Sequence, residues 1–140
     1  MSAAAGVAAL EIIATTDACD RAIAYGEALR ARMNEVLVEE KVNWAVHGSY
    51  SGFHVFTNPK NADITPSTFD AAAFIPTMMQ RVRGEGVSTQ LRMGMLVNGV
   101  DVNSGPSGTI SATHGEDEMT ITVDAFRATL RSLKREGALA

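Results

Sequence analysis

Apolar residues recur at helical spacing through the first part of the chain. In SAAAGVAALEIIATT, apolar positions three or four apart predict a helix to about Ala14. That apolar face comprises Val7, Leu10, Ile13 and Ala14. A second helix is predicted to about Glu40, with Thr16 or Asp17 as its cap. Its inward stripe is Ala22, Leu29, Met33 and Val36, with Tyr25 and Leu37 at the edge.

The period changes in NWAVHGSYSGFHVFTN, where aromatic and β-branched residues gather around a glycine- and serine-rich turn. This pattern predicts two antiparallel strands near residues 43–47 and 52–57. Two further short strands are predicted at VDV, residues 100–102, and at TISAT, residues 109–113.

Three more helices are predicted after the first strand pair. The first covers about residues 67–82, with Pro76 expected to end or kink it. The second covers 88–98, with Leu91, Met95 and Leu96 inward and Gly99 ending it. The third has acids in its first turn, bases in its last turn and Gly137 just after it. The acids are Glu116, Asp117 and Glu118, and the bases are Arg131, Lys134 and Arg135. The predicted buried stripe of this helix comprises Met119, Val123, Phe126, Leu130 and Leu133.

This order of elements predicts an α+β fold, because short strands need helices to cover them. We expect a small antiparallel sheet with helices packed on one face, preceded by a long apolar helix. The other sheet face then needs cover from elsewhere or a polar surface.

Composition narrows the functional classes. The formal net charge is −4 and no Lys/Arg cluster stands out, which argues against nucleic-acid binding. The single cysteine, Cys19, excludes an intrachain disulfide and fits a reducing compartment. No basic residue precedes the first apolar stretch, and its clean run is too short for a membrane span. We therefore expect a cytoplasmic protein.

Candidate chemistry among the residues is sparse. His114 lies beside Glu116, Asp117 and Glu118, but acids at a helix start have an electrostatic reason, which we prefer to a metal site or general base. His47 and His54 lie on neighbouring predicted strands without a third ligand of clear spacing. Cys19 stands at a helix start without a surrounding motif, and no phosphate-binding glycine motif is present. We assign no metal ligand.

Several segments, in order, carry a resemblance to a known family. They are AAGVAALEII, GEALRARMNEVLVEEKVNWAVHGSYSGFHVF, FDAAAFIPTMMQRV, RMGMLVNGVDV and SGTISATHGEDEMTITVDAFRATLRSL. Together they resemble the C-terminal small domain of class III, fold-type I aminotransferases, which depend on pyridoxal 5′-phosphate (PLP). The chain is similar to the aspartate aminotransferase family branch that includes glutamate-1-semialdehyde 2,1-aminomutase-like proteins. The ordered set carries the resemblance, and no single segment is a catalytic signature.

The resemblance implies a truncated chain, with residues 1–15 a remnant of an interdomain helix and residues 16–140 the small domain. In this family a preceding large domain carries the Schiff-base lysine and the other cofactor contacts. Independently, Lys41, Lys60 and Lys134 lie in charged or loop segments and are expected to be exposed. We therefore expect no catalytic or cofactor-binding residue here, and PLP bound by the full-length family but not by this chain alone.

The segment before the last predicted strand bears on the substrate. Many class III transaminases hold the substrate carboxylate with an arginine near this strand, and aminomutases carry a glutamate in Pro-Ser-x-Phe-Glu. NSGPSGTIS has neither, and Pro106 stands close to the place of the acid. The family's loop here lines the mouth of the substrate pocket, so the resemblance places Ser107 and Thr109 at its rim.

Three functional hypotheses follow. The first is a C-terminal fragment of a PLP-dependent aminotransferase or aminomutase, inactive alone, whose parent reaction transfers an amino group. The second is one subunit of a split aminotransferase, with a large-domain chain as its partner. The third is a non-catalytic interaction module that self-associates through its apolar first helix; the family is homodimeric. Whether the chain is itself an enzyme stays open, and neither nucleic acid nor membrane is an expected partner.

Overall fold

The computed structural model describes residues 2–73 and 86–139. Within these residues the fold is α+β, with four helices and three strands. They follow one another as α1 (Ser2–Thr15), α2 (Ala18–Glu39), β1 (Ala45–His47), β2 (Gly52–Phe56), α3 (Val87–Val97), β3 (Ser107–Thr109) and α4 (Glu116–Arg135). No helix among them combines the length and apolar character needed to cross a membrane.

The three strands form one antiparallel sheet in the order β1-β2-β3. His54, on the central strand, lies opposite His47 of β1 and Ser107 of β3. Since side chains alternate between the two faces of a strand, these three residues share one face. The predicted strand pair near 43–47 and 52–57 is thus confirmed, with slightly shorter bounds.

The helices pack on the opposite face of the sheet. Val46, Phe53 and Val55 join one buried cluster with side chains of α2, α3 and α4, which confirms the predicted helical layer. Phe126 and Leu130 of α4 are fully buried within it. The predicted stripe of α4 is confirmed, except that Val123 is only partly buried.

A loop covers part of the other sheet face. Ala45 and Phe56 form a second, smaller buried cluster with Ile64, against which Phe69 packs. The ring centroids of Phe56 and Phe69 lie 5.0 Å apart. The remaining part of this face carries the two strand histidines. The face therefore has both features that the sequence left open, namely cover by another segment and a polar surface.

Three helices end in the same backbone motif. After α3, Gly99 has φ +90°, its N–H donates to the Leu96 carbonyl, and the Val100 N–H donates to the Met95 carbonyl. This is the Schellman pattern, and it confirms Gly99 as the terminator. Gly137 confirms its predicted place after α4 in the same way, whereas Lys41 takes the left-handed position after α2, with φ 53°.

Ion pairs attach the end of α2 to α4. Arg131 Nε lies 2.8 Å from Glu40 Oε1, and Arg127 pairs with Glu39. The Lys134 amine donates to the Glu40 carbonyl, one of the acceptors that a helix end leaves without an intrahelical partner. Arg131 and Lys134, which were predicted to complement the dipole of α4, thus also bind the end of α2.

Two predicted burial positions were wrong. Leu37 is fully buried rather than at the edge, because α2 contacts both α4 and β1 and its apolar stripe is correspondingly wider. Leu96 is 44% exposed. The inward positions of α3 are Ser88, Leu91 and Met95. Because each residue advances about 100° around the helix axis, the side chain of Leu96 points away from the face that buries Met95.

Two predicted strands and part of one predicted helix were also wrong. VDV, residues 100–102, forms no strand, and the last strand is Ser107–Thr109 rather than 109–113. Residues 67–73 form turns and irregular backbone, because local side chains bond the backbone: Asp70 Oδ1 accepts from the Ala72 N–H at 2.9 Å. The remainder of that predicted helix, with Pro76, lies outside the described residues.

Helix α1 extends for 14 residues, one beyond its predicted end at Ala14, and the long helix expected there is not confirmed. Among the other helices and strands, it contacts mainly α2. Its large apolar side chains are all more than half exposed: Val7, Leu10, Ile12 and Ile13.

Candidate functional site

Ser107 and Thr109, the expected rim residues, lie on the edge strand β3. The Val55 N–H donates to the Pro106 carbonyl at 2.7 Å, and the Ile110 N–H donates to the Ser51 carbonyl at 2.8 Å. Hydrogen-bonding direction alternates along an antiparallel strand, so the backbone groups of Ser107 and Thr109 point away from β2. The Ser107 carbonyl accepts from the Asn103 N–H at 2.9 Å, which closes the turn before the strand.

A cleft of about 510 Å³ opens beside this edge. It separates β3 from the preceding segment, and α2 and α4 supply its other walls. The lining residues are Tyr25, Leu29, Phe53, Gly99, Val100, Asp101, Val102, Asn103, Ser107, Gly108, Thr109, Ile110, His114, Glu118, Ile121 and Thr122. The structure therefore brings both rim residues to the wall of one cleft, of a size typical for ligand sites.

One end of the cleft carries titratable side chains. The ring centroids of Tyr25 and His114 lie 5.6 Å apart. Partial burial, followed by the nearby Glu118 and Glu116 carboxylates, raises the pKa of the Tyr25 hydroxyl. Tyr25 is therefore a neutral phenol at ordinary pH and offers the cleft a hydrogen-bonding hydroxyl.

The acids near His114 have the structural role that we preferred. Glu118 Oε2 accepts from the Gly115 N–H at 2.7 Å, which bonds the chain just before α4. This backbone hydrogen bond is the main cause that lowers the pKa of Glu118, with a smaller contribution from His114. Glu116 pairs with Arg32 at 2.5 Å.

The strand histidines form a stacked pair on the opposite sheet face. Their ring centroids lie 5.4 Å apart, and Phe69 approaches His47 at 5.2 Å. Burial, and then the neighbouring His54, lower the pKa of His47, so the His47 imidazole is neutral near pH 7. No group of three or more His, Cys, Asp or Glu side chains is placed to hold a metal ion in the part of the chain that is described.

The three lysines do not fit a covalent PLP site. Schiff-base chemistry requires an amine whose pKa is lowered by burial or by neighbouring cations. Lys41 and Lys60 are exposed, in the turn after α2 and in the loop after β2. Lys134 differs from its expected exposure because it is partly buried, but its amine is bonded to the Glu40 carbonyl.

Cys19 is exposed near the start of α2. It stands apart from the residues that line the cleft. The structure therefore adds no catalytic setting to this lone thiol.

The fold of this chain is also found in known protein structures. No protein-family model and no curated protein matches the sequence. Among solved structures, a transaminase with PLP bound is 27% identical over 94% of this chain, with a TM-score of 0.70. The fold is one found within PLP transaminases. The present chain covers 27% of that transaminase's length.

Two further structures share the fold at lower identity. An omega-transaminase from Sphaerobacter thermophilus is 24% identical over 82% of this chain, with a TM-score of 0.59. The FumI protein of Sphingopyxis sp. MTA144, in its PLP internal aldimine form, is 24% identical over 98% of this chain, with a TM-score of 0.69. This chain spans 24% and 28% of their lengths, so it corresponds to about a quarter of each.

Sequence reasoning missed the cleft, although it named two of its residues. It treated VDV as a strand, whereas that segment stands apart from β3 and forms a wall of the cleft. Tyr25 was identified only as the edge of a helix stripe, and His114 only as part of an acidic cluster. Their approach to 5.6 Å depends on how α2 and α4 pack, which no local pattern encodes.

Proposed function

We propose that this chain is the small-domain part of a PLP-dependent aminotransferase, in the class III branch, and that the parent reaction transfers an amino group. The observation that carries the proposal is the likeness to a PLP-bound transaminase over 94% of the chain, at a TM-score of 0.70. The ordered sequence segments support the same family independently. Residues 1–15 correspond in this proposal to an interdomain helix and residues 16–140 to the small domain.

The chain does not perform the reaction alone in this proposal. All three lysines are placed where their amines are exposed or already bonded. The chain's own residues therefore do not fit the cofactor. The lysine-bearing domain comes from elsewhere in the assembled enzyme, which acts in the cytoplasm.

Ser107 and Thr109 contribute to the rim of the substrate pocket in this proposal. Both lie beside the cleft, on an edge strand where the outward backbone groups of Thr109 are available for polar contacts. Neither carries a charge, so these positions do not supply the arginine or glutamate that related enzymes use. The choice between aminotransferase and aminomutase therefore rests on residues outside this segment.

A second candidate is an interaction module or a subunit of a split enzyme. The observation that favours it is α1, whose four large apolar side chains are each more than half exposed. Exposed apolar surface of this kind marks an interface. In the split enzyme, a large-domain aminotransferase chain covers this surface of α1. In the interaction module, a second copy of this chain covers it.

The test is native purification of this chain from the cells that express it. We expect the fraction that contains the chain to contain PLP, measured after release by alkali. The same fraction should catalyse transamination between amino acids and 2-oxoglutarate. A fraction that contains the chain as a homo-oligomer, free of both PLP and transamination, would support the interaction module and contradict the enzyme. A monomer without PLP would contradict both.

A further inference from the structure

We propose that the cleft beside β3 binds an extended peptide segment of a partner protein, which adds a strand to the open edge of the sheet. The segment presents an apolar side chain to the cleft and basic side chains to its acidic end. This inference goes beyond the proposed function: it shares Ser107 and Thr109 with the proposed substrate rim, but it is argued from the sheet edge, the cleft and its charges.

The open edge is the first observation. Ser107 and Thr109 direct their backbone groups away from β2, as the flanking bonds of Pro106 and Ile110 require. The Ser107 carbonyl is occupied by Asn103, but within residues 2–73 and 86–139 no hydrogen bond satisfies the outward N–H and C=O of Thr109. An unpaired strand edge of this kind is a template for another strand.

The shape of the cleft is the second observation. A peptide backbone bonded to the outward groups of Thr109 would lie about 4.8 Å from β3, on the side where the cleft opens. The lining there includes the apolar side chains of Leu29, Phe53 and Ile110. Because side chains alternate along a strand, every second residue of the peptide would face this lining.

Charge is the third observation. The ionised residues that line the cleft are Asp101 and Glu118, and neither lysine nor arginine is among the lining residues. Asp101 already pairs with Arg92 at 3.3 Å, so Glu118 is the principal attraction for a cation. Its pKa is lowered, which keeps the carboxylate charged under ordinary conditions. A lysine or arginine side chain complements this end of the cleft.

The test uses the peptide acetyl-Lys-Val-Lys-Val-Lys-amide as a probe, titrated by calorimetry against the full chain. We expect saturable binding with one site per chain. Thr109→Pro should weaken it about tenfold, because proline removes the outward N–H but is tolerated on an edge strand. Thr109→Val is the matched control, since it changes the side chain and keeps the N–H, and it should change affinity by less than about twofold.

Two measurements on the unmodified chain keep the test decisive if Thr109→Pro fails to fold. Backbone N-methylation of the peptide's central residue should also weaken binding about tenfold. The Thr109 amide should exchange hydrogen more slowly in the complex. Absence of saturable binding, equal affinity for the methylated peptide, or equal affinity for lysine amide alone would each overturn the proposal, the last in favour of a small-molecule site.

Discussion

Gly26→Ala should destabilise the protein, although alanine is the better helix former. Gly26 lies in the interior of α2, where the exchange would ordinarily contribute about 0.5–1 kcal/mol of stability. An added Cβ would stand 2.6 Å from the Tyr50 carbonyl oxygen and 3.3 Å from the Ser51 Cα. Both are backbone atoms of the β1–β2 turn, so the turn itself must move.

The cost of that movement can be estimated from the contacts. Overpacking of a close contact costs about 1–3 kcal/mol. The same turn is held by Arg30 Nη1, which donates to the Tyr50 carbonyl at 2.9 Å and the Gly52 carbonyl at 2.7 Å. Weakening these charge-assisted bonds adds about 1–2 kcal/mol. After the gain from the better helix propensity of alanine is subtracted, the free energy of unfolding falls by about 2–3 kcal/mol, which lowers Tm by about 10 °C.

Gly6→Ala is the matched control, because it lies in α1 and its added Cβ meets nothing within 4 Å. Thermal unfolding followed by circular dichroism should show a Tm that is unchanged or raised for Gly6→Ala and lowered for Gly26→Ala. If Gly26→Ala raised Tm as much as Gly6→Ala, the close approach of α2 to the turn would be refuted.

Three other predictions concern the sheet and the end of α2. Asn34→Ala should cost about 2–3 kcal/mol in chemical denaturation, because the Asn34 side chain bonds both the N–H and the carbonyl of Val46, each at 2.8 Å. Lys41→Gly should stabilise the chain by about 0.5 kcal/mol, since Lys41 occupies the left-handed position with φ 53°. The folded pKa of His47 lies below its unfolded value of 6.5, so its contribution to stability is present above that pH and falls as the pH drops below it. His47→Phe should flatten this pH dependence of Tm between about pH 7 and 5.

Each of these has its own control. Asn98→Ala removes one exposed bond, to the Gly94 carbonyl, and should cost less than about 0.5 kcal/mol. An equal loss for Asn34 and Asn98 would contradict the stabilising role of the two Asn34–Val46 hydrogen bonds. A Lys41→Gly variant less stable than the parent would contradict the strained turn. His114→Phe should leave the acid-side slope in place, and an equal flattening would show that burial of His47 is not its origin.

Helix prediction succeeded where one face alone contacts the core. The stripe of α4 could be predicted because its inward residues repeat every three or four positions and its termini carry acids, bases and a glycine. Leu37 and Leu96 departed from prediction because the width and direction of a buried face depend on the neighbouring helices. Sequence periodicity indicates that a helix has an apolar face, whereas packing decides which flanking residue joins it.

Strand prediction failed near the cleft for a different reason. TISAT carries the β-branched residues, but the register against β2 places the strand on Ser107–Thr109, whose central residue is a glycine. An added Cβ on Gly108 would stand 2.5 Å from the Phe53 ring. The aromatic ring therefore requires a glycine in this strand, which strand propensities disfavour. Such long-range contacts between β2 and β3 are invisible to local patterns.

We propose above all that this chain is part of a PLP aminotransferase and depends on another polypeptide segment for the cofactor. The most direct test of this proposal is the intact mass of the purified chain after one equivalent of PLP and reduction with borohydride. We expect no adduct, or trace adducts spread over Lys41, Lys60, Lys134 and the N-terminus. A near-complete adduct on a single lysine would contradict the proposal and show that the chain binds the cofactor by itself.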